Sequence, residues 1–278
     1  MPVTGLTIEP LGQRVGAEIT GLDRERVESD PSVAGACMDA LEQFGVLVLR
    51  GMGLDDSAQV RFCRRLGRPE ARSTRAVPEI AHISLDPDRS PIAGYLQGTF
   101  DWHIDGTCDD VPAKATVLTA HAVAEQGGET EFAGTYAAYD ALGPEEQERL
   151  ARLRVVHTFE ASQRRYVPDP TPEQMADWRT RKPMEHPLVW RHRSGRRSLV
   201  LGATADHVVG LEPEASRTLL DDLLERATSV DQVYRHTWSV GDTVIWDNCG
   251  VLHRALPYRA DSAREMHRTT LLGDEPIQ

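Results

Sequence analysis

Cysteine is scarce in this chain of 278 residues: Cys37, Cys63, Cys108 and Cys249 are its four, and no two of them form a CxxC pair. Four scattered thiols in so long a chain do not make a disulfide framework, leaving buried free thiols as the reading. Lysine is scarcer still, with Lys114 and Lys182 alone beside 29 arginines. The net charge of −12 leaves the chain without the basic surface that phosphate neutralisation demands. Neither nucleic acid nor an anionic membrane is therefore expected as a partner. No apolar run reaches the roughly 18 residues of a membrane span, and the opening MPVTGLTIEPLGQRVGAEI has no basic start followed by an apolar stretch. A cytoplasmic location is the expectation.

What is present is ample core material: 40% of the residues are hydrophobic. GLTIEPLG and GAEITGL are short, β-branched and glycine-punctuated, and read as opening strands. VAGACMDALEQFG carries apolar residues at helical spacing and ends on Gly45, and VLVLRGM reads as a fully buried strand. SAQVRFCRRLG predicts a second amphipathic helix closed by Gly67, followed by a loop over GRPEARSTRAVPEIA. Beyond it, ATVLTAHAVAEQGGETEFAGT predicts strand, GG turn and strand, and TYAAYDALGPEEQERLARL a helical pair with Pro144 at a helix start. HPLVWRHRSGRRSLVLG predicts a hairpin about Ser194 and Gly195. ASRTLLDDLLERATS predicts a helix with Leu219, Leu220, Leu223 and Leu224 on one face. No repeat or linker divides the chain, so residues 1–278 read as a single domain, mainly β with helices: a double-stranded β-helix, or jelly roll, with flanking α-helices. The one basic run, RTRKPMEHPLVWRHRSGRR, is either a solvated loop and hairpin or a flap near an anionic ligand.

The stretch TFDWHIDGTCDD places His103 and Asp105 one residue apart. Ten histidines and 43 acidic residues make roughly 1.5 such pairs expected by chance, so the spacing has no force alone. In an extended strand, however, residues two apart share a face, so both side chains can reach one cation. The best third ligand is His253, just after the apolar strand of VIWDNCGVLHRALPY. Two imidazoles and a carboxylate with open positions suit non-haem Fe(II), and zinc hydrolases use the same set. A carboxylate-binding apparatus for 2-oxoglutarate discriminates between them. Arg264 and Arg268, four apart in RALPYRADSAREMHRTTLLGDEP, offer guanidinium forks, and Thr130 in GGETEF offers a hydroxyl.

Taken together, WHIDGT, the GGETEF turn with AAYDAL after it, HPLVWRHRSGRRSLVLG, WDN followed by His253, and REMHRTTLLGDEP occur in an order that resembles the TauD/TfdA family of Fe(II)- and 2-oxoglutarate-dependent dioxygenases. The resemblance implies that His103, Asp105 and His253 bind Fe(II), and that Thr130 and Arg264 hold the distal carboxylate of 2-oxoglutarate. Arg268 is implied as the second arginine, holding 2-oxoglutarate or an anionic group of the substrate. With O2 as the other cosubstrate, the implied reaction hydroxylates a small anionic substrate and releases succinate and CO2. The resemblance also implies a homo-oligomer, dimer or tetramer. The alternatives of another class are a degenerate jelly-roll binding protein and a zinc-dependent hydrolase.

Departures from the family pattern bear on the substrate. Gly106, Cys108 and Thr204 stand where taurine-specific members carry larger apolar or aromatic side chains, and RSTRAVPEIAHI has no match to their upstream His and Tyr. A pocket wider than theirs is expected, shaped by loops over 68–99 and 158–185, for a sulfonate, sulfate ester, aryloxyacid or other carboxylate. Cys249, where the family usually has arginine after WDN, reads as structural. His207 lies where relatives place substrate-facing residues. His82, His121, His157, His186, His192, His236 and His267 show no evident partner in the sequence.

Overall fold

The pairing of the strands in two facing sheets decides which side chains of this chain reach the site. The computed structural model describes residues 5–71, 73 and 76–278. Arg72, Thr74 and Arg75, within the stretch read as a loop, lie outside the described residues. The chain opens with β1 (Thr7–Pro10), β2 (Ala17–Thr20), α1 (Arg24–Ser29), α2 (Pro31–Phe44) and β3 (Val46–Leu49). Next come α3 (Asp56–Leu66), β4 (Ala81–Ile83), a 3-10 helix over Ala93–Phe100, β5 (Ala115–Ala122) and β6 (Thr130–Gly134). The middle of the chain holds α4 (Thr135–Asp140), α5 (Pro144–Leu150), β7 (Arg154–His157), α6 (Phe159–Arg164), α7 (Pro172–Trp178) and β8 (Met184–Pro187). It is followed by the hairpin β9 (Val189–Arg191) and β10 (Arg197–Leu199), then β11 (Ala205–Val208) and α8 (Pro213–Ala227). The last strands are β12 (Val233–His236), β13 (Thr243–Asp247), β14 (Val251–Ala255) and β15 (Glu265–Leu271).

Helix starts follow their capping chemistry. Asp30 accepts from the Ser32 amide ahead of α2, Asp55 accepts from the Ala58 amide ahead of α3, and Thr171 and Gln174 form a capping box on α7. Pro31 and Pro213 occupy the first turns of α2 and α8, where no amide is needed.

A seven-stranded sheet runs β1-β2-β3-β13-β5-β15-β4, antiparallel except for the β2–β3 pair, and a three-stranded sheet runs β12-β6-β14. Along β3, Leu47 and Leu49 join the helices α1–α3 in one core, while Val46 and Val48 join the other. The second core lies between the sheets: Leu118, Ala120, Val244, Trp246 and Met266 meet Phe132 and Val251. A third core packs α4 and α8 behind the small sheet, with Leu220 and Leu223 buried and Leu219 and Leu224 partly so. This is the double-stranded β-helix with flanking helices that the sequence predicts. The strands on either side of the Gly127-Gly128 turn do not pair with each other: β5 enters the large sheet and β6 the small one, so the turn is a corner between sheets. The segment 158–185, expected as a loop, carries α6 and α7. Among the described residues no helix is long and apolar enough to cross a membrane.

The basic run pairs with its surroundings. Arg193 meets Asp274, Arg196 meets Glu42 and stacks on Tyr136, and Arg181 stacks on Phe159. It is the loop and hairpin of the two readings. Cys37, Cys63 and Cys249 are buried free thiols, as expected, and Cys108 is half-buried.

Two histidines buried within the packing, His157 and His236, have their pKa pushed down by burial, to about 3 and about 4. The folded state holds them neutral, whereas the unfolded chain takes up a proton near the model-peptide pKa of about 6.5. Between those values the unfolded chain binds more protons, so this contribution falls as pH drops. Stability measured by denaturant unfolding is expected to decline steadily from pH 7 to pH 5, and less steeply in His157→Gln. A flat profile across that window contradicts the assignment.

Candidate metal centre and cosubstrate pocket

Two backbone hydrogen bonds assemble the centre. His103 donates its amide to the His253 carbonyl at 3.0 Å and His253 returns the bond at 2.9 Å, an isolated bridge between the segment after the 3-10 helix and β14. The imidazoles consequently lie 4.2 Å apart. The expectation of an extended strand over His103–Asp105 needs correction: only His103 is bridged, and Asp105 begins a turn over residues 105–108. His253 follows the apolar strand β13, as expected, and itself lies inside β14, on the same face as Val251 and turned into the space between the sheets.

One ligand atom from each of His103, Asp105 and His253 lies within 4.8 Å of the others. His103 Nδ1 donates to the Asp101 carbonyl at 2.8 Å, which fixes the tautomer and leaves Nε2 bare, 3.8 Å from Asp105 Oδ1. His253 Nε2 stands 3.7 Å from Asp105 Oδ2. These gaps are too long for hydrogen bonds and suit donors that share an ion. Burial, with His103 beside it, pushes His253 down to about 3, so it is neutral at physiological pH. Burial opposes ionisation of Asp105, but His253, Arg268 and His103 overcome it and hold its pKa at about 2. The cluster thus presents an ionised Asp105 and a neutral His253, with His103 turning Nε2 toward the carboxylate.

The supporting layer was not singled out from sequence. Asn248 Nδ2 donates to Thr116 Oγ1 at 2.9 Å, and that hydroxyl donates to Asp105 Oδ2 at 3.4 Å. Asn248 belongs to the WDN motif, whose spacing does not reveal this supporting role. Trp246 and Phe132 pack their rings against His253, at 4.8 and 6.4 Å between centroids.

Thr130 and Arg264 lie on either side of the glycine corner. Trp238 Nε1 donates to Thr130 Oγ1 at 2.9 Å, which occupies a lone pair and leaves the hydroxyl proton for another acceptor. Arg264 is 3% exposed; its guanidinium lies 4.7 Å from the Tyr258 ring, with a long 3.5 Å bond to the Tyr258 hydroxyl. Burial lowers its pKa, and no carboxylate pairs with it among the described ion pairs. A nearly buried cation with so little compensation is poised for an anion. Gly128 makes the placement possible: at φ +78° a Cβ would stand 3.0 Å from Arg264 Cδ and Nε. Arg268, on the inner face of β15, brings Nη1 to 3.8 Å from Asp105 Oδ2, and its Nε is buried without a hydrogen-bond partner.

This arrangement has counterparts. Residues 7–270 match the family described as taurine catabolism dioxygenase TauD, TfdA family. The chain belongs to the TauD/TfdA dioxygenase family. It is 37% identical over 254 residues, 85% of this chain and 88% of the relative, to an alpha-ketoglutarate-dependent 2,4-dichlorophenoxyacetate dioxygenase of Cupriavidus pinatubonensis. It is 31% identical, over 98% of this chain and 91% of the relative, to an alpha-ketoglutarate-dependent sulfate ester dioxygenase of Pseudomonas putida. The crystal structure of AAD-2 in complex with Mn(II) and N-oxalylglycine superposes with a TM-score of 0.82 at 30% identity, covering 98% of this chain and 99% of that one. A taurine dioxygenase from Burkholderia xenovorans superposes at 0.80 with 29% identity, covering 98% and 93%.

Against the TauD/TfdA pattern the departures resolve individually. Thr204 accepts or donates within a pair with Thr107 at 2.8 Å and meets His157 at 2.9 Å, so a polar network stands where taurine-specific members have an aromatic wall. Gly106 is a correction: at φ +86° a Cβ would collide with Pro112 Cα and Ala113 N at 2.9 Å, so the turn, not pocket width, requires glycine. His207 is exposed and bonded to neighbouring Asp206, away from the cluster's contacts. The remaining histidines have partners after all: His157 bonds to Thr204, His186 to the Thr107 carbonyl, His192 to Ser198 and His236 to Tyr234, while His82, His121 and His267 gather together.

Replacing Thr116 by Val keeps the side-chain shape and removes the hydroxyl that steadies Asp105. Loss of such a supporting contact typically weakens metal affinity by about 10- to 100-fold, and Fe(II) titration of Thr116→Val is expected to show a loss in that range. Unchanged affinity would place Thr116 outside the support of Asp105.

Proposed function

We propose that this TauD/TfdA protein is an Fe(II)- and 2-oxoglutarate-dependent oxygenase that hydroxylates a small organic anion of the aryloxyacid or sulfate ester class. The observation that carries the reading is the juxtaposition of a His-Asp-His cluster of ligand spacing with Arg264, buried with one long hydrogen bond, and Arg268, whose Nε is buried without a partner. His103 Nε2, Asp105 and His253 Nε2 would hold the iron. Its donor set fits, because two imidazoles and one carboxylate on one side leave positions for a chelating cosubstrate and O2. The relatives support this oxygenase over a zinc hydrolase or a degenerate binding protein. N-oxalylglycine, found with Mn(II) in the AAD-2 structure, is a dicarboxylate of the shape of 2-oxoglutarate with an amide NH in place of a methylene.

Iron with bound 2-oxoglutarate supplies the activation of O2 for oxidation of a C–H bond, with release of succinate and CO2. The chain supplies the rest. Arg264 grips the distal carboxylate of 2-oxoglutarate through its fork, and the Thr130 hydroxyl, oriented by Trp238, donates to the same group. Trp246 and Phe132 line the histidine side and keep water from it. Arg268 faces a cavity of about 640 Å³ that Asp105, Gly106 and Arg68 also line, and there it holds the substrate's anionic group. Hydroxylation at a carbon that bears an ether or sulfate oxygen gives a product that collapses to a carbonyl compound and releases the oxygen substituent.

Substrate size follows from the wall at Thr204. An aromatic side chain in its place would add apolar contact worth about 1–3 kcal/mol, which suits a two-carbon sulfonate; its absence favours a longer or bulkier anion. We further read residues 1–278 as one cytoplasmic domain that acts as a homo-oligomer on a diffusible substrate, which agrees with the net charge of −12 and with a sheet whose strands span from β1 to β15.

The test is competitive turnover, scored by succinate release, of taurine against an aryloxyacid and a long-chain alkyl sulfate at equal concentration. The larger anions are expected to dominate, and Arg268→Gln to raise their KM about tenfold or more, the value of one charge-assisted hydrogen bond. Preference for taurine would overturn the substrate assignment.

A further inference from the structure

We propose a second divalent-cation site on the outer face of the large sheet, formed by Asp56, His82, Glu265 and His267. One ligand atom from each of Asp56, His82 and His267 lies within 4.8 Å of the others, the same spacing that marks the first centre. Strand register builds it. On β15 the inner face carries Met266 and Arg268, so Glu265 and His267 point outward toward α3. His267 pairs directly with His82 on β4, and across β5 a register shift between Glu265 and Met266 brings His121 against it. The rings of His82 and His121 lie 4.1 and 3.7 Å from that of His267. Asp56, in the first turn of α3, closes the cluster from the helix side.

The proton inventory points to a cation. Both nitrogens of His267 face carboxylates, Nδ1 toward Asp56 Oδ1 and Nε2 toward Glu265 Oε1 at 3.3 Å, and His82 Nδ1 faces the same Glu265 oxygen at 3.0 Å. A neutral imidazole has one N–H and cannot satisfy two acceptors. With His267 giving its one N–H to Asp56 and His82 giving Nδ1–H to Glu265, His267 Nε2 is left bare beside Glu265 Oε1, and a metal ion in place of the His82 proton would take both as ligands. Arg89 Nη1 stands 3.5 Å from the other oxygen of Glu265 and leaves Oε1 for the cluster. Side-chain exposures of 31% at Asp56, 14% at His82, 26% at Glu265 and 10% at His267 leave a path from solvent. Imidazole and carboxylate donors suit a borderline ion, Zn(II), Ni(II) or Co(II).

The location gives the site a purpose. It joins α3, β4 and β15, and the segment between α3 and β4 supplies Arg68, Glu70, Pro78 and Glu79 to the wall of the cavity that Asp105 and Arg268 share. A cation at the cluster would tie the start of α3, through Asp56, and β4, through His82, to the strand that carries Arg268 on its opposite face.

Equilibrium dialysis of the full chain against Zn(II) tests this, with wild type, His82→Ala, Glu265→Gln and His103→Ala compared. Wild type is expected to bind two equivalents, with the second raising the unfolding temperature. His82→Ala and Glu265→Gln are expected to weaken only the second equivalent, by roughly tenfold or more, and to keep the first. His103→Ala is expected to lose the first and keep the second. A single equivalent in wild type overturns the proposal without reference to any variant. Two undiminished equivalents in a folded His82→Ala or Glu265→Gln protein overturn it as well.

Discussion

One pair of main-chain hydrogen bonds, between His103 and His253, is the constraint on which the first centre depends. It pins two segments far apart in sequence at the distance where their imidazoles can share an ion, before any metal contributes. Everything near it serves to hold that register. β14 is anchored through β6, the Asp101 carbonyl sets the His103 tautomer, and the Asn248–Thr116 relay steadies Asp105 from β5. Because these supports come from both sheets, the centre sits where the fold closes on itself.

Charge follows from the same burial. Removing Asp105 from water disfavours its charge, and it stays ionised because His253, Arg268 and His103 surround it. Arg264 presents the reverse case, a cation drawn out of water with an aromatic ring and one long hydrogen bond for company. On the proposed function, a dicarboxylate cosubstrate would meet both demands at once, chelating at the metal end and neutralising the arginine at the other. The alternating faces of β15 keep this machinery apart from the histidine cluster on the outside of the sheet.

The sequence made legible those features that depend on local chemistry. Gly45 closes α2, the Ser194-Gly195 turn forms its hairpin, and the unbroken apolar run VLVL is the fully buried strand β3. His103, Asp105 and His253 were found from ligand type and motif order. What escaped was tertiary: that Asp105 stands on a turn, that the Gly127-Gly128 corner divides β5 and β6 between sheets, and that Gly106 answers to Pro112 rather than to the pocket. His82 and His267 show the reason most clearly, since they are 185 positions apart and become neighbours only through strand register. No local spacing encodes that pairing.

The central claim is that the cluster and Arg264 together bind one cosubstrate on iron. Its most direct measurement is anaerobic addition of Fe(II) and then 2-oxoglutarate, followed by visible absorption. A weak charge-transfer band is expected in wild type, with the 2-oxoglutarate concentration at half-saturation raised about 10- to 100-fold in Arg264→Lys, which keeps the charge and loses the fork. A protein that binds both components with no band, or an Arg264→Lys titration identical to wild type, would contradict the account.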